Sequence, residues 1–113
     1  MTNYEREWLS DLVSLGCVVC RNLGYGDSPA EVHHVRFEAG VGQRSDHTSA
    51  LPLCPEHHRL GGHGVAFHAG PKVWQQQYGT ERELLEQVRD EVYQLRLTII
   101  GRTPSIETQC REM

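Results

Sequence analysis

The chain is 113 residues long, 38% of them hydrophobic, and its 11 basic and 15 acidic residues give a formal net charge of −4 at pH 7. This length predicts one small domain, and no apolar run approaches the ~20 residues of a membrane-spanning helix, so we expect no membrane span. The negative charge argues against a partner held chiefly by electrostatic attraction, but the acidic excess lies toward the two ends, and the neutral central segment can still contact a phosphate backbone.

Helical patterns occupy both ends of the chain. The first residues fit a capping box, and apolar residues then recur at helical intervals, which predicts a helix over residues 3–15. A second capping box at Thr80–Glu83 and the apolar stripe after it predict helical structure within residues 71–99. The stripe consists of Leu84, Val88, Val92, Leu95 and Ile99. We expect one domain over residues 1–100, followed by a polar, flexible tail at 101–113.

The middle of the chain, roughly residues 17–70, is rich in Gly, Pro and His and poor in large aliphatic side chains. Its patterns predict strands at 31–37 and 50–53, a brief helix from Pro55, and a loop or strand fragment at 65–70. Such a segment has little apolar surface to bury. We therefore expect a metal or disulfides to stabilise it.

Four cysteines and histidines fall in two short motifs with the same two-residue spacer. They are Cys17, Cys20, Cys54 and His57. Three thiolates and one imidazole in two such pairs are the ligand set of a closed structural zinc site. The plain alternatives for the first pair are two small buried residues or a redox-active Cys-x-x-Cys motif, and a redox motif would need a βαβ context that this segment lacks. Metal-type spacing also favours reduced thiolates over disulfides, and Cys110 in the polar tail is expected to be a free thiol.

Three further histidines lie beside these ligands in the sequence. His33 and His34 come between the two motifs, and His58 directly follows His57. A single histidine is usually an ordinary surface or core residue, but two adjacent pairs in so short a chain favour a second metal site. On a strand His33 and His34 point to opposite faces, so that one can bind an ion while the other faces another part of the same cleft.

The order Cys-x-x-Cys, His-His, Leu-Cys-x-x-His-His resembles the ββα-metal fold of HNH endonucleases. The run Ser45–His58, together with Gly-Val-Ala-Phe-His-Ala-Gly at 64–70 and the pair Tyr78-Gly79, is similar to the phage-encoded recombination-enhancement nucleases that depend on RecA, the Ref family. The similarity covers about residues 15–85. It implies an α+β fold with a zinc-stapled ββα-metal core between flanking helices. It also implies an endonuclease that hydrolyses DNA phosphodiester bonds in phage DNA recombination or processing.

The resemblance implies a catalytic centre built from histidines. By position, His33 and His58 would bind the catalytic metal, and His34 would be the general base that activates water. A third imidazole ligand falls on His68, with His63 as the alternative.

Other positions of the family pattern are less well matched. The asparagine that gives HNH its middle letter aligns near Ser49, so that either Asp46 or the backbone would take over its orienting role. Arg59 and Arg44 are candidates for phosphate contact, and the alternative for each is a plain solvated arginine.

The implied cofactors are Zn²⁺ at the structural site and Mg²⁺, Mn²⁺ or Zn²⁺ at the catalytic site. The implied partner is DNA, in the cytoplasm of a bacterial cell that carries the phage or prophage. Family members can have a basic disordered arm ahead of the nuclease core, whereas this chain begins with a capped, slightly acidic helix. Binding to RecA-coated DNA is therefore a weaker expectation than binding to DNA. The alternative function is a non-catalytic zinc module that binds nucleic acid or a protein, which would need neither histidine pair.

Overall fold

The computed structural model describes residues 2–35 and 48–100, with side chains up to residue 98. The predictions that lie outside these residues concern the strand at 36–37, Arg44, Asp46, the side chain of Ile99, and the tail 101–113 with Cys110. Within the described part, two antiparallel strands and several helices surround a cysteine–histidine cluster that could hold a metal. The predicted α+β class is confirmed.

The first helix, α1 (Asn3–Ser14), begins at the predicted capping box. The hydroxyl of Thr2 accepts a hydrogen bond from the amide of Glu5 at 3.1 Å, and the Glu5 carboxylate accepts one from the amide of Thr2 at 2.9 Å. Gly16 ends the helix with φ at +80°, a left-handed conformation that glycine adopts without steric cost. The observed bounds agree with the predicted helix to within one residue.

A second, short helix follows that the sequence patterns do not predict. α2 (Val18–Asn22) begins at Cys17, whose sulfur accepts a hydrogen bond from the amide of Cys20 at 3.4 Å. Five residues are too few to show helical periodicity, so the sequence does not indicate this helix. The turn directs the sulfurs of Cys17 and Cys20 toward the same imidazole, that of His57.

A hairpin carries the paired histidines. β1 (Glu31–His34) and β2 (Ala50–Leu53) are antiparallel, in a register that sets His33 opposite Leu51. The predicted bounds of β2 are those observed. Along β1 His33 is buried and His34 is exposed, the alternation expected of a strand with one covered face.

Short helical turns follow β2. A π-helical segment, Glu56–Leu60, is closed by a hydrogen bond of 2.9 Å from the amide of Gly61 to the carbonyl of Glu56. Gly61 has no room for a side chain, because a Cβ atom there would lie 2.5 Å from that carbonyl oxygen. A 3₁₀ turn at Phe67–Ala69 stands where the sequence predicted a loop or strand fragment, and α3 (Pro71–Tyr78) starts at its proline as expected.

The long helix α4 (Glu81–Ile100) begins at the second capping box. Thr80 donates its amide hydrogen to the Glu83 carboxylate at 3.0 Å, and its hydroxyl accepts from the Glu83 amide at 3.1 Å. Three residues of the predicted stripe, Leu84, Val88 and Val92, are buried. Through this face α4 packs against α1 and β2.

The hydrophobic core lies where α1, α2, α4 and the hairpin meet, and it continues beneath the 3₁₀ turn and α3. Its largest fully buried apolar side chains are Trp74, Phe67, Leu12, Leu51, Leu53, Leu85, Val18, Val19, Val35, Val88 and Val92. None of the helices in the described part of the chain combines the length and apolarity that a membrane span requires.

Arginine–carboxylate pairs tie the two N-terminal helices to α4. Arg21 in α2 binds both oxygens of Glu91, at 2.8 and 3.0 Å. Arg96 donates to Asp11 of α1 at 2.8 Å, and its guanidinium carbon lies 5.1 Å from the centre of the Trp8 ring. A two-pronged contact such as that of Arg21 fixes orientation as well as distance.

Trp74 joins α3 to the π-helical segment. Its side chain is fully buried, and its indole Nε1 donates a hydrogen bond to the carbonyl of His57 at 3.0 Å. The ring meets Phe67 and Tyr78 edge-on, with centres 5.1 and 5.4 Å apart. Trp74 therefore holds the backbone that carries His57.

We expect Trp74→Phe to lower the free energy of unfolding by about 1–3 kcal/mol, because it leaves the buried carbonyl of His57 without its donor. Trp8→Phe is the matched control, since the indole nitrogen of Trp8 has no hydrogen-bond partner among the described residues. Chemical denaturation of both variants checks this. An equal loss of stability in the two would contradict the assigned role of the Trp74 hydrogen bond.

Candidate metal centres

Two groups of side chains within the described residues bring possible metal-binding atoms within 4.8 Å of one another. The first group is Cys17, Cys20, Cys54 and His57, and the second is His33, His58 and His68. The first contains the four residues predicted for structural zinc. The second contains three of the residues that the resemblance assigned to a catalytic metal. We call them the Cys₃His group and the three-histidine group.

The Cys₃His group has the spacing of a tetrahedral site. With metal–sulfur bonds of about 2.3 Å and metal–nitrogen bonds of about 2.0 Å, two sulfurs lie about 3.8 Å apart, and a sulfur and a nitrogen about 3.5 Å apart. The sulfurs of Cys20 and Cys54 are 3.8 Å apart. Nδ1 of His57 lies 3.8, 3.5 and 3.3 Å from the sulfurs of Cys17, Cys20 and Cys54, in that order. The residues therefore fit a metal such as zinc.

All four residues of the Cys₃His group are buried. Cys17 and Cys20 come from the start of α2, whereas Cys54 follows β2 and His57 lies in the π-helical segment. Four protein ligands fill a tetrahedral coordination sphere, and burial keeps substrate away. The geometry suits a structural ion and not a catalytic one.

The electrostatics of the Cys₃His group depend on a cation. Burial raises the pKa of the Cys17 thiol to about 11 and lowers the pKa of the His57 imidazole below its usual value. Without a metal, the Cys17 thiol and the His57 imidazole are therefore uncharged near pH 7. A divalent cation displaces thiol protons as it binds, and its attraction for the resulting thiolates would then hold the ligands together.

The three-histidine group lies beside the first, because His58 directly follows His57. The ring centre of His33 is 5.3 Å from those of His58 and His68, which are 4.8 Å from each other. Nε2 of His58 is 3.1 Å from Nε2 of His68, close to the separation of about 3.3 Å for two nitrogens on one tetrahedral ion. His63, the alternative third ligand, is not a member of this group, and its ring lies beside Gly70.

Glu31, which is not among the residues predicted from the sequence, orients His58. Its Oε1 atom lies 2.8 Å from Nδ1 of His58, and its two oxygens also accept from Arg59 at 3.0 and 2.6 Å. Hydrogen bonds from Arg59 and then His58 hold the pKa of Glu31 at about 2, so it is ionised near neutral pH. Since a carboxylate only accepts, Nδ1 of neutral His58 carries the hydrogen, and its Nε2 lone pair faces the three-histidine group.

His33 is the buried member of the three-histidine group. Its ring packs against Phe67, with centres 4.3 Å apart, and its Nε2 atom lies 2.8 Å from Oε2 of Glu81 at the start of α4. Glu81, like Glu31, is not among the residues predicted from the sequence. His33 and His58 therefore each have a carboxylate within hydrogen-bond distance of one ring nitrogen, which is the common arrangement around metal-binding imidazoles.

His34, the predicted general base, follows His33 on β1 and is exposed to water. The adjoining backbone is well held, because the amide of Val35 donates to the carbonyl of Ser49 at 3.0 Å. The Ser49 hydroxyl in turn accepts a hydrogen bond of 2.8 Å from Arg89 in α4. The backbone and the side chain of Ser49 thus brace the strand pair next to His34.

Arg59, a predicted phosphate contact, donates hydrogen bonds to the Glu31 carboxylate from Nε and from one terminal nitrogen. Its side chain remains 53% exposed, so the rest of the guanidinium faces solvent at the edge of the three-histidine group. The other predicted contact, Arg44, lies outside the described residues.

The two carboxylates differ in how visible they are from the sequence. Glu31 stands two residues before His33, on the same face of a predicted strand, so that period alone could have indicated it. Glu81 stands 48 positions beyond His33, and in the sequence it has the pattern of an ordinary acidic residue in the first turn of a helix. No local signal connects it to the histidines.

The two groups are suited to different chemistry. Three nitrogen donors leave coordination positions for water or substrate, whereas the Cys₃His group leaves none. His68 is exposed and His58 is partly exposed, so molecules in solution can approach the three-histidine group. An open metal site supported by a closed one is the arrangement that the side chains permit.

A family model described as recombination enhancement, RecA-dependent nuclease matches residues 1–93. No curated protein sequence and no solved structure gives a significant match. The matched residues include both groups of possible ligands, Glu31 and Glu81. Because the match extends over most of the chain, this protein belongs to the recombination enhancement, RecA-dependent nuclease family.

Proposed function

We propose that the protein is a metal-dependent HNH endonuclease that hydrolyses phosphodiester bonds in DNA. The observation that carries this proposal is the accessible three-histidine group, held beside a closed Cys₃His group in a chain of a nuclease family. A passive zinc module would need the closed group alone. We assign Zn²⁺ to the Cys₃His group and Mg²⁺, Mn²⁺ or Zn²⁺ to the three-histidine group.

His34 is the general base in this proposal. An imidazole titrates near neutral pH, so it can accept a proton from water as the water attacks the phosphorus. Its exposure on β1 gives water access, and the bond between Val35 and Ser49 limits movement of the strand beneath it.

His33, His58 and His68 hold the divalent ion. When bound, that ion supplies positive charge that binds the scissile phosphate and stabilises the departing 3′ oxygen. Neutral imidazoles leave most of that charge uncompensated. Glu31 keeps the Nε2 lone pair of His58 directed inward, and its own charge is offset by Arg59.

Two arginines are proposed to bind DNA phosphates next to the scissile one. Arg59 is half exposed beside it and can donate to a neighbouring phosphate with the hydrogens that Glu31 does not use. We propose the same role for Arg44. Because the chain carries a net charge of −4, these local contacts, and not overall attraction, would position the DNA.

The family name links the protein to recombination and to RecA. We propose DNA as the substrate in phage recombination or processing, with RecA-coated DNA as a second form of it. Comparing cleavage of bare and RecA-coated DNA by the same preparation separates the two forms.

Loss of one ligand from the Cys₃His group should unfold the protein. A structural zinc contributes about 10–16 kcal/mol to folding, which is as large as the whole stability of most small domains, about 5–15 kcal/mol. We expect Cys54→Ser to lose bound zinc and its cooperative thermal transition, measured by metal analysis and circular dichroism. Cys110→Ser is the control and should keep both. Full zinc content with a parental melting temperature in Cys54→Ser would refute the structural site.

His34→Ala should slow nicking of supercoiled plasmid, in Mg²⁺ or Mn²⁺, by about 10²–10⁴-fold, the range typical of a lost general base. His63→Ala is the matched control, because it removes another exposed histidine that is not part of the three-histidine group. We expect the control to nick at close to the parental rate. Equal rates for His34→Ala and the parent would remove His34 from the mechanism, and an inactive parent would favour a non-catalytic zinc module.

A further inference from the structure

The contact between His33 and Glu81 is a buried polar contact of the three-histidine group. The Nε2 and Oε2 atoms are 2.8 Å apart, and the two side chains are only 1% and 4% exposed. Water therefore has little access to this pair, and a hydrogen bond between the two side chains is stronger there than it would be in water. By comparison, the side chain of Glu31 is 30% exposed.

The chemistry of this contact decides which nitrogen of His33 can bind a cation. A carboxylate has no hydrogen to donate, so the Nε2 atom that faces it must carry one. In a neutral imidazole Nδ1 then holds the lone pair, and that is the atom left to join Nε2 of His58 and His68. The opposite tautomer would bring two lone-pair-bearing atoms together at 2.8 Å.

We propose that Glu81 is a positioning residue that fixes His33 in the Nε2-protonated tautomer, so that Nδ1 faces the divalent cation of the three-histidine group. The inference rests on the proposed function, in which His33 is a metal ligand. It assigns to α4 a part in the metal site, beyond its part in the hydrophobic core.

Glu81 is itself held in place. Its amide donates to Oε1 of Gln75 in α3 at 2.9 Å, and the hydrogen bonds between Thr80 and Glu83 fix the first turn of α4. On the other side of the pair, Phe67 lies against the ring of His33 and limits its rotation. The carboxylate and the imidazole therefore meet as two restrained groups.

Glu81→Gln changes the chemistry of this contact with little change in shape. An amide can donate from its nitrogen as well as accept at its oxygen, so it no longer requires hydrogen at Nε2 of His33. Removal of such an outer partner typically weakens metal binding about 10–100-fold. We expect Glu81→Gln to bind Co²⁺ more weakly by this factor when Co²⁺ is added to protein loaded with one equivalent of zinc. The visible absorption of bound Co²⁺ measures its affinity. Glu83→Gln is the matched control, because it removes a charge from the same helical turn and an amide can keep the capping box.

A second measurement needs no variant. In parent protein loaded with one equivalent of zinc, which fills the Cys₃His group, and with no second metal added, the nitrogen chemical shifts of His33 by NMR should report hydrogen at Nε2. Glu81→Asp should recover part of the Co²⁺ affinity that Glu81→Gln loses, because it restores a carboxylate. Hydrogen at Nδ1 of His33 in the parent overturns the inference, and so does parental Co²⁺ affinity in Glu81→Gln.

Plasmid nicking by the parent separates this inference from the proposed function. If the parent fails to nick DNA while its Co²⁺ affinity depends on Glu81, the nuclease assignment fails and the role of Glu81 stands. If the parent nicks DNA and Glu81→Gln binds Co²⁺ as tightly as the parent, the role of Glu81 fails and the nuclease assignment stands.

Discussion

Three sulfurs and one imidazole from distant parts of the chain lie within a few ångströms of one another. This contact joins α2, the end of β2 and the π-helical segment, and the proposed catalytic site depends on it. Cys20 and Cys54 are 34 positions apart, yet their sulfurs are separated by 3.8 Å. Burial raises the pKa of the Cys17 thiol, so without a cation this residue brings no negative charge to the group. The proposed zinc would supply an attraction that joins the start of α2 to the end of β2.

The Cys₃His group also positions the three-histidine group, the proposed catalytic site. His57 and His58 are adjacent in the π-helical segment, so fixing one imidazole on a buried ion restricts the other to a narrow region at the surface. Trp74 strengthens the connection through its hydrogen bond to the His57 carbonyl. Rigid support of this kind is what an open metal site requires, since its ligands must stay in place while water and substrate exchange.

Much of this arrangement could be predicted from the sequence, because the informative signals are local. Spacers of two residues identified the Cys₃His group, the two capping boxes located α1 and α4, and strand alternation placed His33 and His34 on opposite faces. Features that depend on tertiary contacts were missed. α2 is too short to have a period, and the 3₁₀ turn at Phe67 forms because that side chain packs against Trp74 and His33. Glu81 reaches His33 only because α4 folds back across the hairpin, which no local pattern encodes.

The central claim is that a tetrahedral ion occupies the Cys₃His group, and X-ray absorption at the zinc edge tests it most directly. Protein loaded with one equivalent of zinc should show three sulfur neighbours at about 2.3 Å and one nitrogen at about 2.0 Å. A first shell made of nitrogen and oxygen, with no sulfur, would place the ion elsewhere and contradict the account.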